Sequence, residues 1–219
     1  MSAKYIPALG YSVLTSFYDP VVKATTRETQ FKRALVNRAN IHSGLNVLDV
    51  GCGTGTLAIA AARSVPDATI VGLDGDPKIL AIAANKARHG DAQVRFVQNL
   101  ATQMPYADES FDRVLSSLFF HHLSREDKLS TLSEIFRVLI PGGELHVADW
   151  GKPTGKLARC QFFFIQLLDG FKTTRDNVHG KLPDYFRQAG FFAATLEKEI
   201  STVFGTMSLY SAVKPRDAA

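Results

Sequence analysis

Cysteine is scarce in this chain, with two residues among 219. Cys52 and Cys160 lie far apart in the sequence, so neither a disulfide framework nor a zinc site with paired ligands is predicted. Two isolated thiols are typical of proteins that work in a reducing compartment. We therefore expect a cytoplasmic protein that holds no metal.

Long apolar runs are also lacking. No segment approaches the ~20 consecutive apolar residues of a membrane span. The first residues, MSAKYIPALGYSVLTSFYDP, place polar and aromatic side chains where a signal peptide needs an uninterrupted apolar segment. No internal repeat or Pro/Gly/Ser-rich linker interrupts the sequence. With 46% hydrophobic residues the chain can bury a large core, and we expect one domain covering residues 1–219.

Strand-like and helix-like segments alternate from residue 47 onward, a pattern typical of a parallel sheet covered by helices on both faces. The predicted strands are 47–50, 68–74, 93–98, 111–117, 142–150, 192–200 and 206–214. The predicted helices are 56–65, 77–90, 125–139 and 182–191. In such a sheet, ligands bind beyond the carboxyl ends of the strands, where the strand order reverses.

Three glycines, Gly51, Gly53 and Gly55, follow the first predicted strand at alternate positions. Without Cβ atoms they permit a sharp turn and a close approach of a ligand to the backbone, beside the positive end of the next helix. Asp74 ends the second strand, 19 residues after Gly55. A carboxylate at that place can accept hydrogen bonds from both hydroxyls of a ribose, so the two features indicate a nucleoside.

A dinucleotide site is the main enzymatic alternative, but it requires the spacing G-x-G-x-x-G. The register here is Gly51-x-Gly53-x-Gly55, a compact turn that suits a ligand without phosphates. A dehydrogenase would also need a catalytic acid, and Tyr210 and Lys214 supply the single Tyr-x-x-x-Lys spacing. They lie in a terminal strand, where four residues span ~13 Å and hold the two groups apart.

Four segments resemble, in order, the motifs of the class I S-adenosylmethionine-dependent methyltransferases: VLDVGCGTG, VGLDGDP, QMPYADESFDRVLSS and RVLIPGGELHVADW. The resemblance is strongest to the branch that includes ubiquinone/menaquinone-type and phospholipid-type enzymes, and it spans about residues 45–150. It implies a methyltransferase that uses S-adenosylmethionine and releases S-adenosylhomocysteine. The implied fold is a Rossmann-like α/β structure, with a seven-stranded, mostly parallel sheet, helices on both faces and a last antiparallel strand.

The same resemblance implies roles for individual residues and segments. The glycine turn with Thr54 would hold the methionine part of the cofactor, Asp49 would favour its cationic end, and Asp74 would bind the ribose. Residues 45–150 would form the cofactor-binding core, residues 1–44 a helical lid, and residues 151–219 a substrate-side helix and the C-terminal strands.

The resemblance also implies that Leu100 and Ala101 would flank the adenine and that Ser117, at the end of the fourth strand, would close the site. Many relatives carry an acidic or amide side chain where Leu100 stands, so here the bond to the adenine amino group would come from the backbone or from Asn99. In the lid, Tyr11 and Tyr18 are candidates to touch the cofactor, and ordinary packing of a terminal helix is the alternative.

Candidate bases follow the fourth and fifth predicted strands: His121 and His122 in LFFHHL, and Asp149. A histidine that titrates near neutral pH can take a proton from a hydroxyl acceptor. Adjacent residues are expected to point in different directions, so at most one of the two histidines, His121, is predicted to face the cofactor. The alternative is that the histidine anchors the following helix.

The acceptor is predicted from the segments outside the core. Residues 155–171 contain a phenylalanine-rich run, which suits either a core helix or an apolar wall for a lipid-like or aromatic substrate. The net charges of 1–44, 45–150 and 151–219 are +4, −4 and +4. These basic segments favour an anionic lipid-like or small-molecule acceptor, or an anionic membrane surface, although a solvated basic surface is the alternative.

The sequence also bears on nucleic-acid binding and on a protein without transfer activity. No RNA-binding module or interleaved basic and aromatic stripe is evident, so nucleic acid is not expected as a partner. The cofactor motifs are also compatible with a cofactor-binding partner or regulatory protein that transfers no methyl group. Release of S-adenosylhomocysteine in the presence of an acceptor separates that hypothesis from an enzyme.

Overall fold

The computed structural model describes residues 27–216, apart from the side chains of residues 168, 169 and 172. Among these described residues, seven strands form one sheet. In chain order they are Asn46–Val50 (β1), Thr69–Asp74 (β2), Arg95–Gln98 (β3), Phe111–Ser117 (β4), Leu139–Trp150 (β5), Phe192–Thr202 (β6) and Gly205–Val213 (β7).

Helices flank and connect most of these strands, and a short 3₁₀ turn follows β4 at Phe120–His122. Within residues 27–216 the helices are Glu28–Arg38 (α1), Thr56–Ser64 (α2), Pro77–His89 (α3), Arg125–Val138 (α4), Lys156–Asp169 (α5), Phe171–Val178 (α6) and Leu182–Gln188 (α7). None of the helices within residues 27–216 combines the length and the apolar character that crossing a membrane requires.

The strand order is β3-β2-β1-β4-β5-β7-β6. Strand β1 pairs in parallel with both β2 and β4, and β7 lies antiparallel between β5 and β6. The predicted mostly parallel, seven-stranded sheet with an antiparallel last strand is therefore confirmed. Strands β2 and β3 lie on one side of β1, and β4 lies on the other side, so the order of the strands reverses between β1 and β4. The carboxyl ends of these two strands therefore border the expected ligand crevice.

Local capping explains why two predicted helices begin where they do. The Asp76 carboxylate accepts a hydrogen bond of 2.8 Å from the Lys78 N–H, and Pro77 occupies the first position of α3. The Ser124 hydroxyl accepts a hydrogen bond of 3.1 Å from the Asp127 N–H at the start of α4. Short polar side chains of this kind satisfy backbone donors that a helix leaves without partners.

The structure moves the start of one predicted strand and adds one helix. Strand β5 begins at Leu139, not at residue 142, because Leu139 pairs with Phe111 across an irregularity in the ladder. The segment after α5 forms a further helix, α6, which the sequence pattern did not predict. Gly170, with φ of 92°, separates the two helices. Both differences arise from pairing and turn geometry that hydrophobic periodicity does not reveal.

Alternate residues of β1 enter two hydrophobic cores on opposite faces of the sheet. Val47 packs in the cluster that includes Phe31 of α1 and Leu57 of α2. Leu48 packs in the other cluster, with Leu132 of α4. Asp49 shares the face of Val47, so its side chain lies on the side of the sheet that α1 and α2 cover.

Candidate functional site

The glycine turn after β1 has three residues with positive φ: 67° at Gly51, 52° at Gly53 and 75° at Gly55. A Cβ added at Gly51 would come within 2.2 Å of the Phe119 ring, and one at Gly55 within 2.9 Å of Phe96. A Cβ at Gly53 would meet nothing within 4 Å among the described residues. Backbone conformation thus favours glycine at all three positions, and packing also requires it at Gly51 and Gly55, whereas Gly53 leaves the backbone open to a ligand.

Asp74 lies directly beside this turn. One carboxylate oxygen accepts a hydrogen bond of 2.9 Å from the Gly53 N–H, and the other accepts one of 3.0 Å from the Asp76 N–H. Burial raises the pKa of Asp74, and these backbone hydrogen bonds oppose that increase. The carboxylate therefore fixes the turn and also presents acceptor oxygens at the carboxyl end of β2.

Asp49 is a buried carboxylate at the carboxyl end of β1, 1% exposed. Its Oδ2 accepts a hydrogen bond of 3.1 Å from the Ala58 N–H in the first turn of α2. Its Oδ1 has no hydrogen-bond partner within residues 27–216. Burial raises the pKa of Asp49 to about 7, while the positive charge of Lys32 and the Ala58 N–H act in the opposite direction. Such an oxygen is suited to a cationic hydrogen-bond donor.

The hydroxyl of Thr54, in the glycine turn, is held by a lysine from the next helix along the chain. Lys86 Nζ donates hydrogen bonds of 2.9 Å to Thr54 Oγ1 and 3.3 Å to Thr56 Oγ1. The lysine thereby joins α3 to the start of α2. No short-range sequence pattern pointed to Lys86, since it lies 32 residues from Thr54.

The predicted adenine-side residues follow β3 and β4. Leu100 and Ala101 are partly buried, and the Leu100 N–H donates a 2.8 Å hydrogen bond to Asn99 Oδ1. Ser117 ends β4 and is partly buried. A neighbouring residue that the sequence did not indicate, Ser116, is fully buried and donates a 2.9 Å hydrogen bond to the Val50 carbonyl. This bond joins the ends of β1 and β4.

His121 and Asp149 form a buried pair at the carboxyl ends of β4 and β5. The distance between His121 Nδ1 and Asp149 Oδ1 is 2.7 Å, and the side chains are 3% and 0% exposed. The carboxylate also accepts backbone hydrogen bonds from Trp150 at 2.7 Å and from His121 at 3.2 Å. Because these donors engage both carboxylate oxygens, Asp149 is suited to orienting the imidazole of His121.

The expectation that the two histidines point in different directions was wrong. Their ring centroids lie 3.9 Å apart, because both residues belong to the 3₁₀ turn rather than to an extended strand. Leu118, with φ of 54°, turns the chain out of β4 just before them. Burial and the neighbouring His121 lower the pKa of His122 well below its ordinary value, so His122 is neutral at physiological pH.

The structure therefore brings most of the predicted residues to one edge of the sheet. Tyr11 and Tyr18 lie outside the described residues. Lys32 and Phe119 were missed by the sequence analysis: Lys32 places a positive charge near Asp49, and Phe119 covers Gly51. Only the packing of α1 and the turn after β4 reveals these two contacts.

A groove of about 770 Å³ runs between α1 and α2 and reaches Thr56 and Lys86. Asp49, Gly53, Asp74 and His121 do not line it. The groove follows the length of α2, whereas the polar groups with binding chemistry lie at the ends of the strands. We therefore place the candidate site at the strand ends and not in this groove.

Comparison with known proteins identifies the family of this chain. The sequence profile of the family described as Methyltransferase domain matches residues 47–143. A demethylmenaquinone methyltransferase from Lactobacillus johnsonii is 31% identical over 190 residues, covering 84% of this chain and 77% of that protein. The chain belongs to the class I S-adenosylmethionine-dependent methyltransferases.

Two further comparisons show how much of its relatives this chain covers and which fold it shares with them. A demethylmenaquinone methyltransferase from Deinococcus radiodurans is 37% identical over 132 residues, which are 60% of this methyltransferase and 54% of the relative. The chain thus spans about half the length of that relative. A structure of phosphoethanolamine N-methyltransferase 2 from Haemonchus contortus with S-adenosylmethionine has a TM-score of 0.70 at 19% identity, covering 85% of this chain and 53% of the other. This likeness shows the fold.

The family assignment confirms the predicted cofactor, S-adenosylmethionine, and the residues at the strand ends fit it. Each oxygen of Asp74 receives one backbone hydrogen bond and retains a lone pair for a ribose hydroxyl. Asp49 Oδ1, which has no partner among the described residues, suits the cationic methionine end. Gly53 leaves room beside the backbone. The carboxyl edge of β1 and β2 can therefore hold this cofactor.

Replacing Asp74 with alanine is expected to weaken S-adenosylmethionine binding by about 10- to 150-fold, equivalent to ~1.5–3 kcal/mol for a hydrogen bond to a charged group. The variant loses the ribose acceptor and the anchor of the Gly53 N–H together. Calorimetric titration measures the change. Asp67→Ala, at an exposed site just before β2, is the control and should retain wild-type affinity. Unchanged affinity in folded Asp74→Ala protein would remove Asp74 from the site.

Proposed function

We propose that this protein transfers the methyl group of S-adenosylmethionine to a lipid-like, quinone-type acceptor. The observation that carries the proposal is the position of two polar groups at one sheet edge. The glycine turn with Asp49 and Asp74 lies at the ends of β1 and β2, and the His121–Asp149 pair lies at the ends of β4 and β5. Cofactor-binding chemistry and a candidate base thus adjoin the same crevice.

When bound, S-adenosylmethionine supplies a methyl group that is already activated by a sulfonium, so much of the catalysis can come from positioning. The acceptor atom must lose one proton as it gains the methyl group. Asp149 accepts a hydrogen bond from His121 Nδ1, which leaves the basic lone pair of the imidazole on Nε2. We assign the acceptor's proton to that nitrogen, with Asp149 stabilising the imidazolium that forms.

The surroundings of the pair suit an aromatic or apolar acceptor. The ring centroids of His121 and Trp150 lie 6.5 Å apart, and Trp150 packs edge-on against Phe162 of α5 at 5.8 Å. Relatives from two organisms are named demethylmenaquinone methyltransferases, which supports a quinone as the acceptor class. The basic charge of residues 151–219, net +4, supports an acceptor that carries negative charge or lies in an anionic membrane.

A panel of acceptors tests the proposal, with S-adenosylhomocysteine release as the readout. We expect turnover with an isoprenoid quinol such as demethylmenaquinol, and little or none with RNA or with phosphoethanolamine. Mass detection of the methylated product identifies the atom that accepts the methyl group. If the protein binds S-adenosylmethionine and turns over none of these acceptors or any metabolite in a cell extract, the proposal fails. A cofactor-binding protein without transfer activity would then be the better description.

A further inference from the structure

Helix α5 presents an apolar face to solvent. Its outward side chains form a surface that we call the α5 face, consisting of Leu157, Cys160, Phe163, Phe164 and Leu167. Leu157 is 73% exposed, Phe164 60% and Leu167 57%. The spacing from residue 157 to 160, 164 and 167 places these side chains along one side of a helix. Contiguous exposed apolar side chains bordered by polar residues are typical of protein or membrane interaction sites.

The opposite side of the same helix packs against the protein. Phe162 and Ile165 are buried, and Phe162 contacts Trp150, the last residue of β5. The helix is thus fixed at the carboxyl edge of the sheet, on the side where the His121–Asp149 pair lies. A surface that binds the α5 face would therefore lie beside the rim through which we expect the acceptor to enter.

The charges around the α5 face are positive. Residues 151–181 contain six Lys and Arg residues and two Asp residues. Lys156 and Arg159 are exposed on α5 itself, and Arg175 is exposed on α6. An amphipathic helix with exposed Phe and Leu flanked by Lys and Arg is the usual composition of a segment that lies in the interface of an anionic bilayer.

We propose that the α5 face docks on the surface of an anionic membrane. Charge decides this occupant against a second copy of the chain, because a symmetric contact would bring the two sets of Lys156 and Arg159 close to each other. Anionic lipid headgroups neutralise the same side chains, while the acyl region accepts the Phe and Leu side chains. The link between docking and catalysis rests on the proposed lipid-like acceptor, but docking itself requires no acceptor.

Vesicle flotation of the full chain tests the docking directly. We expect binding to phosphatidylcholine vesicles that contain phosphatidylglycerol, and much weaker binding to pure phosphatidylcholine. The double variant Phe164→Ser/Leu167→Ser should lower the partition coefficient by about tenfold or more, since it removes apolar area from the bilayer. Lys156→Gln and Arg159→Gln should each lower it by about fivefold at low salt. Phe192→Ser, at a 52% exposed site on β6, is the matched control and should bind as wild type.

Cys160 provides a second measurement on the same surface. Its thiol is exposed, whereas Cys52 is buried and burial raises the pKa of the Cys52 thiol, so a bulky maleimide should label Cys160 selectively. We expect fast labelling of the protein in buffer and protection by anionic vesicles.

Several results would overturn the docking proposal. Slow labelling of Cys160 without vesicles would mean that another part of this chain or a second copy covers the α5 face, and sedimentation velocity would distinguish the two. Equal binding to neutral and anionic vesicles, or an equal loss in Phe192→Ser, would also contradict it. Normal turnover of a detergent-dispersed quinol without vesicle binding would reject docking and leave the proposed function intact. Vesicle binding without turnover of any acceptor would support docking and contradict the proposed function.

Discussion

Replacing His121 with alanine is expected to lower kcat by roughly 10²- to 10⁴-fold, the contribution that a positioned general base typically makes. The affinity for S-adenosylmethionine should change little, because Asp49 and Asp74, which we expect to hold the cofactor, lie at the ends of β1 and β2. The wild-type rate should decrease toward acidic pH as the imidazole becomes protonated, and this acidic limb should be absent from His121→Ala. Single-turnover kinetics across pH measure both effects.

The chain offers a matched control for this substitution. His146 is also buried on β5 and contacts a carboxylate, with Nε2 2.9 Å from Glu144 Oε2, but it lies three residues before Asp149, on the opposite face of the strand. The His146→Ala variant measures how much stability is lost when a buried histidine is removed. Its rate should keep the pH dependence of the wild type. Asp149→Asn, which keeps the side-chain size, should lower kcat as His121→Ala does. Full turnover by folded His121→Ala protein would show that positioning alone suffices for the reaction.

Replacing Asp49 with asparagine is expected to remove the contribution of this carboxyl group to the pH dependence of stability between pH 4 and pH 8. Burial raises the pKa of Asp49 from 3.8 to about 7. In the unfolded chain the carboxyl ionises first, so the contribution of Asp49 to the stability of the cofactor-free protein decreases as pH rises from about 4 to about 7. A shift of this size corresponds to roughly 4 kcal/mol in the free energy of unfolding. Urea titrations of both proteins at several pH values measure the difference.

The same substitution should weaken the cofactor complex. A cationic ligand favours ionised Asp49, so wild-type S-adenosylmethionine binding should strengthen as pH rises through about 7, with release of a proton. Asp49→Asn should bind more weakly and lose that pH dependence. Asp91→Asn, at an exposed site where asparagine tolerates the φ of 48°, is the control. If the stabilities of wild type and Asp49→Asn stay parallel across this pH range, Asp49 does not carry the buried charge.

Asp49 also shows how stability and binding oppose each other in this site. The carboxylate lies in the apolar face that α1 and α2 cover, where Ala58 supplies one hydrogen bond and Lys32 a nearby charge. A neutral residue there would suit the cofactor-free fold better. Buried ionisable groups that destabilise the ligand-free fold are frequent at functional sites, because the ligand supplies the missing partner.

Much of the architecture was determined by the sequence alone. The alternation of apolar strands and helices predicted the sheet, the polar caps at Asp76 and Ser124 set two helix starts, and Gly53 and Asp74 led us to expect a cofactor site at the ends of β1 and β2. These features depend on local rules: hydrophobic periodicity, capping and backbone freedom act over a few residues. A parallel sheet then brings the ends of β1 and β2 together with no further information.

Other features were decided only by the tertiary structure, because they depend on residues that are distant in sequence. His121 and Asp149 are 28 residues apart, and their 2.7 Å contact requires both the 3₁₀ turn after β4 and the parallel register of β4 with β5. The shared orientation of His121 and His122 follows from that turn, so the rule for extended strands gave the wrong answer. The outward direction of the α5 face was undetermined for the same reason. An apolar helix side becomes core or surface according to what packs against it, and here Trp150 receives Phe162 while Phe164 is left exposed.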